Sequence, residues 1–132
     1  MQQLIQGMHH VALKSAGAEE FAKTIAFYHE TLGLPIARRW GEGAEAGVML
    51  SAGTTLIEIF ANAKQPAPEG AIRHFALATN DVDACVKAVS EAGYEVFVQP
   101  SDIAIPSTPV FPARIAFCFG PVGEQIEFFQ ER

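Results

Sequence analysis

Four side chains of this 132-residue chain have the types and placement to bind one metal ion: His10 and Glu58 in the first half, His74 and Glu127 in the second. Each lies in a short apolar run of strand character, beside bulky residues at odd offsets: Val11 and Leu13, Ile57 and Ile59, Phe75 and Leu77, Ile126 and Phe128. Side chains alternate between the two faces of a strand, so if those apolar residues face a core, two imidazoles and two carboxylates project from the opposite face. That donor set suits a borderline divalent ion, Ni, Zn or Co, and neutralises its charge. An octahedral ion so held keeps positions open for two adjacent substrate oxygens. A lone histidine in an apolar strand is ordinarily structural; repetition of the His and Glu positions is what points to ligation.

The elements that must position these residues also repeat. HVALKS at His10 to Ser15 is echoed by HFALAT at His74 to Thr79, 64 residues later. In the first copy Phe21, Ile25, Tyr28 and Leu32 recur at helical spacing before Gly33; in the second, Asp81 is an N-cap candidate, Val82, Cys85, Val86 and Val89 form the stripe, and Gly93 ends it. Three extended segments follow each helix: Ile36 to Trp40, Gly47 to Leu50 and Thr55 to Phe60, then Tyr94 to Val98, Arg114 to Phe119 and Gln125 to Phe129. The spacing therefore predicts an α+β fold of two tandem βαβββ modules. Module 1 covers about residues 4–62, a linker with Pro66, Pro68 and Gly70 covers 63–70, and module 2 covers about 71–130, within one domain spanning 1–132. Each helix is expected to cover one face of its sheet, leaving the ligand-bearing faces to line a metal cleft. Pro100, Pro106, Pro109 and Pro112 mark 100–113 as an edge or loop, and as a lid or wall over the site.

Composition narrows the function. Hydrophobic content of 49% with 18% charged residues is that of a packed domain. A net charge of -6 speaks against a nucleic-acid or anionic-membrane surface and for a small-molecule partner. No apolar stretch is long enough to span a bilayer, and Met1 to Gly7 lacks the features of a secretory leader, so a cytoplasmic location is expected. Cys85 and Cys118, without CxxC spacing, read as small buried hydrophobes. Phe117, Phe119, Phe128 and Phe129 read as core and pocket wall, and His9 and His29, which have no repeat partners, as surface residues or supports.

Taken in order, the His-apolar-x-Leu opening at His10, FYHETLGL from Phe27, IEIFAN from Ile57, the second opening at His74 and GPVGEQIEFF from Gly120 resemble the vicinal oxygen chelate superfamily, and within it glyoxalase I, the lactoylglutathione lyases. The resemblance covers nearly the whole chain. It implies metal ligation by His10, Glu58, His74 and Glu127, substrate binding by Lys14 and Asn62, and a homodimer, with the cleft completed from one chain or two. It also implies proton transfer by Glu127, with Glu58 as its partner across the substrate. Where relatives place basic residues for the glutathione carboxylate, residues 100–113 have none, leaving only Arg114 at the edge.

The implied reaction is methylglyoxal detoxification or a close variant: a 2-oxoaldehyde thiol hemithioacetal isomerised through an enediolate. A Lewis-acidic ion would acidify the C–H beside the bound oxygens, and a carboxylate would move the proton. The alternatives are an epimerase like methylmalonyl-CoA epimerase, acting on a CoA thioester, a dioxygenase, a fosfomycin-resistance enzyme, or a bleomycin-type drug-binding protein. Glu58, a fourth protein ligand, counts against the dioxygenases and fosfomycin enzymes, which use two His and one carboxylate.

Overall fold

The computed structural model describes residues 6–65 and 73–132. The order is β1 (His10–Lys14), α1 (Gly17–Ala26) running into a π-turn (Phe27–Thr31), β2 (Ile36–Trp40), β3 (Gly47–Ser51) and β4 (Leu56–Phe60). After these come β5 (His74–Ala78), α2 (Val82–Glu91), β6 (Val96–Ile105), β7 (Phe111–Phe119) and β8 (Gln125–Glu131). The strands form two four-stranded sheets, ordered β1-β4-β3-β2 and β5-β8-β7-β6. The βαβββ unit thus occurs twice. Pro66, Pro68 and Gly70 of the expected linker lie outside the described residues.

In each module the strand before the helix pairs in parallel with the last strand, and the remaining pairs are antiparallel. The parallel register sets Ala12 opposite Glu58 and Ala76 opposite Glu127. His10 and His74, two residues earlier, therefore share a sheet face with the glutamates. The alternate residues go inward: Val48, Leu50, Ile57 and Ile59 from the first sheet, and Ala116, Cys118, Ile126 and Phe128 from the second, are all essentially buried. Phe27 and Tyr28 of the π-turn and Val82 and Val89 of α2 join them in one continuous core. Phe27 also packs edge-on against Tyr94, with ring centroids 4.6 Å apart, across the module boundary. Full burial of side chains of this size is worth roughly 1.5–3 kcal/mol each, which is why the modules share a core rather than building two small ones. Both sheets turn their helix side to that core, so both faces that carry the His and Glu residues lie on the side away from it.

Local chemistry explains the helix ends. The Asp81 carboxylate accepts the Ala84 N–H as an N-cap. The first helix widens at its end, where the Leu32 N–H reaches back to the Phe27 carbonyl at 3.1 Å, and Gly33 follows with φ +78°, a conformation that favours glycine.

The proline-rich segment departs from the irregular region expected over 100–113. β6 continues to Ile105 and β7 begins at Phe111, so the sheet extends into a two-stranded arm joined through 106–110. Proline is tolerated because β6 is an edge strand and its register shifts between Val98 and Ser101, around Pro100. Pro112 stands opposite Ala104, one residue beyond the last β7–β8 pair, Ala113 with Glu131, and its carbonyl accepts the Arg132 N–H.

Candidate metal centre

The Nε2 of His10 lies 3.3 Å from Oε1 of Glu58, and the Nε2 of His74 lies 3.3 Å from Oε1 of Glu127. Two donors on neighbouring vertices of one ion, with bonds of about 2.1 Å, are separated by roughly 3.0 Å in an octahedron and 3.4 Å in a tetrahedron. Each pair therefore fits two adjacent positions in one coordination sphere. The imidazoles are well exposed, at 37% and 42%, whereas the carboxylates are enclosed, at 12% and 13%. The two modules have built the same His–Glu pair.

Each histidine meets the glutamate of its own module, but the two pairs do not come together in one chain. Among the described residues, no group of three or more His, Cys, Asp or Glu side chains could hold an ion. The shared core explains this: with the helix sides of both sheets turned to it, the two open faces cannot close on each other. A four-donor centre would need pairs from two chains.

Around the first pair, His9 Nδ1 sits 2.9 Å from His10 Nδ1, leaving Nε2 of His10 toward Glu58. Lys14 is exposed further along the same face of β1, and Asn62 lies just past β4 in a bridge with Ala16. Met49 stands opposite Glu58. Trp40 packs edge-on to Phe60 at 6.2 Å and covers Gly47, where a Cβ would run into the indole. His29 is remote from this chemistry, its Nδ1 engaged with the Leu34 carbonyl at the end of the first helix.

The second pair has an aromatic setting. Phe117 stands opposite Glu127 and meets the His74 ring edge-on at 5.2 Å. The Phe97 ring stacks on Phe119 at 4.3 Å and reaches Phe117 at 5.6 Å. The expected aromatic cluster thus divides, with Phe128 in the core and Phe117 and Phe119 on the open face. Phe97, not singled out from the sequence, completes that face. Its signal was a large apolar residue out of phase with Tyr94 and Val96, which both pack on the core.

Two further features bear on the site. Arg114, the one basic residue beside 100–113, grips both carboxylate oxygens of Asp83 at 2.8 Å and reaches Asp102 at 3.2 Å. The hydrogen bonds from Arg114 hold the Asp83 carboxyl below the usual carboxylate range. Arg114 therefore ties α2 to β6 and β7 and is committed within the fold. Glu124, in the connection between β7 and β8, accepts the hydroxyl of fully buried Tyr28 at 2.8 Å and the Val122 N–H at 2.9 Å. Any Cβ at Gly120 would strike this carboxylate. Burial, chiefly, raises the Glu124 pKa above the ordinary glutamate value, and burial followed by the Glu124 charge raises that of Tyr28. This bond joins the π-turn of module 1 to the last hairpin of module 2, and no sequence pattern announced it. Burial of Cys118 pushes its thiol pKa up to about 12, the behaviour of a core residue.

No helix among the described residues is long and apolar enough to cross a membrane. No curated protein matches the sequence. Among solved structures, TnmS3, an antibiotic binding protein from Streptomyces sp. CB03234, is similar in fold at 20% identity, with 99% of this chain and 100% of that one covered and a TM-score of 0.74. A glyoxalase family protein from Enterococcus faecalis is 21% identical over 96% of this chain and 99% of its own, with a TM-score of 0.70. Lactoylglutathione lyase from Agrobacterium tumefaciens is 18% identical over 96% and 94%, with a TM-score of 0.64. Residues 7–128 match the family model of the Glyoxalase/Bleomycin resistance protein/Dioxygenase superfamily, and the chain belongs to that superfamily.

Proposed function

We propose that this protein is a metal-dependent lyase or isomerase of the glyoxalase I type, acting on a 2-oxoaldehyde thiol hemithioacetal. It works as a homodimer in which His10 and Glu58 of one subunit meet His74 and Glu127 of the other. One observation carries the reading: two His–Glu pairs on equivalent strands, each with its donors 3.3 Å apart.

A divalent ion such as Ni, Zn or Co, held by these four residues, would supply Lewis acidity to two neighbouring substrate oxygens. Glu127 takes the proton from the carbon beside those oxygens and returns it to the adjacent carbon. Glu58 flanks the substrate from the other module. Enclosure of both carboxylates on the sheet limits their contact with water and holds them in register with their histidines. Lys14 and Asn62, on or beside the strands of module 1, contact the thiol portion of the substrate. Arg114, committed to Asp83 and Asp102, is not free to clamp a thiol's carboxylate. A small thiol other than glutathione fits that arrangement best. Two unpaired cysteines suit a reducing, cytoplasmic setting.

A second reading, sequestration of a small aromatic ligand without chemistry, is favoured by the phenylalanines beside His74. Metal analysis separates the two. The test is metal content of the purified protein, followed by assays of methylglyoxal isomerisation with glutathione and other low-molecular-weight thiols, and of methylmalonyl-CoA epimerisation, after loading with Ni, Zn, Co or Mn. One ion per pair of half-sites and isomerisation with at least one thiol are expected. Absence of bindable metal leaves only sequestration.

A further inference from the structure

The two half-sites match in their ligands and differ in their walls. In each module the edge strand carries an extra residue against its neighbour near its start: Ile36 and Arg38 face the consecutive residues Leu50 and Met49, and Val96 and Val98 face Cys118 and Phe117. The extra residue is Ala37 in the first module and Phe97 in the second. Such a bulge re-aims a side chain, and here it places the Phe97 ring against Phe117 and Phe119 at once. The positions corresponding to Phe117 and Phe119 in the first sheet, set by register against the two glutamate strands, are Met49 and Ser51. One wall is a run of three phenyl rings ending edge-on at a ligand histidine. The matching positions of the other hold Ala37, Met49 and Ser51, and its own rings, Trp40 and Phe60, lie two residues further along the strands.

From this asymmetry we infer that the centre takes a substrate whose carbonyl-bearing end is an aryl group, a planar ring lying on the Phe97 and Phe119 pair while its two adjacent oxygens reach the His74–Glu127 half-site. The inference rests on the metal-centre reading and narrows it from 2-oxoaldehydes in general to aryl ones. Phe97 is 38% exposed although two other rings contact it, so its outer face is open to a ligand. The wall is continuous with the proposed ligands through the His74–Phe117 contact, which puts an aryl ring and its neighbouring oxygens within reach of one molecule. A methyl group would leave most of this surface uncovered.

Benzohydroxamic and acetohydroxamic acids share one bidentate chelating group and differ only in phenyl against methyl, so their binding to Ni-loaded protein by titration calorimetry isolates the wall. Benzohydroxamate should bind at least about tenfold more tightly. In Phe97→Ala the preference should fall below about threefold, with acetohydroxamate unchanged, and Phe97→Leu should retain apolar area but lose most of the preference. The same probes on metal-free protein show whether the wall acts without an ion. Equal affinities in the wild type, no binding of either probe with or without metal, or loss of dimer in Phe97→Ala at an unchanged probe ratio would each overturn the inference. The last outcome would mean that a second copy covers this face. Turnover of the methylglyoxal adduct with equal hydroxamate affinities sinks the aryl wall and leaves the proposed reaction standing; an aryl preference without turnover of any adduct does the reverse.

Discussion

Mixing two inactive variants tests directly whether the metal centre is shared between chains. His10→Ala/Glu58→Ala removes the first half-site, and His74→Ala/Glu127→Ala removes the second. Within one chain the two pairs form no joint cluster among the described residues, so on the proposed reading each centre of a dimer would take the first pair from one subunit and the second from its partner. A homodimer of either variant then has both centres broken. In a mixed dimer one centre collects both intact pairs and the other collects both deleted pairs. Random assortment makes half of the dimers mixed, each with one working centre in two, so activity and tightly bound metal should both return to about 25% of wild type. The variants are co-expressed with different tags, mixed dimers are verified by native mass spectrometry, and metal content and turnover are read on the isolated mixed species, which should approach about half of wild type. Mixed dimers with neither metal nor turnover would refute the shared centre. Activity in either homodimer would refute the four-ligand set itself.

Other expectations follow from the same geometry. Glu127→Gln should retain bound metal while kcat falls by a factor of about 10²–10⁴, the range for loss of a general base, and an undiminished kcat would remove Glu127 from that role. Tyr28→Phe should destabilise the fold by about 1.5–3 kcal/mol in chemical denaturation, because it strips a charged buried acceptor of its partner between the modules; a change near zero would mean that Glu124 finds another donor. Burial raises the Glu124 pKa in the folded state, so the folded protein binds the proton more tightly than the unfolded chain. Its contribution is full at acid pH, declines as pH rises past the ordinary glutamate value of about 4.3, and is lost once the folded-state pKa is passed. Glu124→Gln should flatten that part of the stability–pH curve, which thermal melts across the range would read. Arg114→Ala should lower Tm while leaving KM for the thiol within about twofold, since the guanidinium is held by Asp83 and Asp102; a large rise in KM would return Arg114 to the substrate.

How far the sequence reached can be judged residue by residue. Period-two alternation around His10, Glu58, His74 and Glu127 was enough to put each pair on one sheet face, because strand geometry alone decides which neighbours share a side. The repeat set the two βαβββ modules, and Asp81 and Gly33 marked helix ends through purely local backbone chemistry. The β6–β7 arm was hidden because proline excludes a central strand but not an edge, and the order of strands in a sheet is a non-local property. Phe97 escaped notice since a bulge depends on the partner strand against which the extra residue is counted. The Tyr28–Glu124 bond joins residues 96 positions apart and exists only because the modules share a core. That same core decided the most consequential point: burying both helix sides together turns the His- and Glu-bearing faces outward, so local alternation could pair each His with its Glu, while only tertiary packing could show that the two pairs of one chain stay apart.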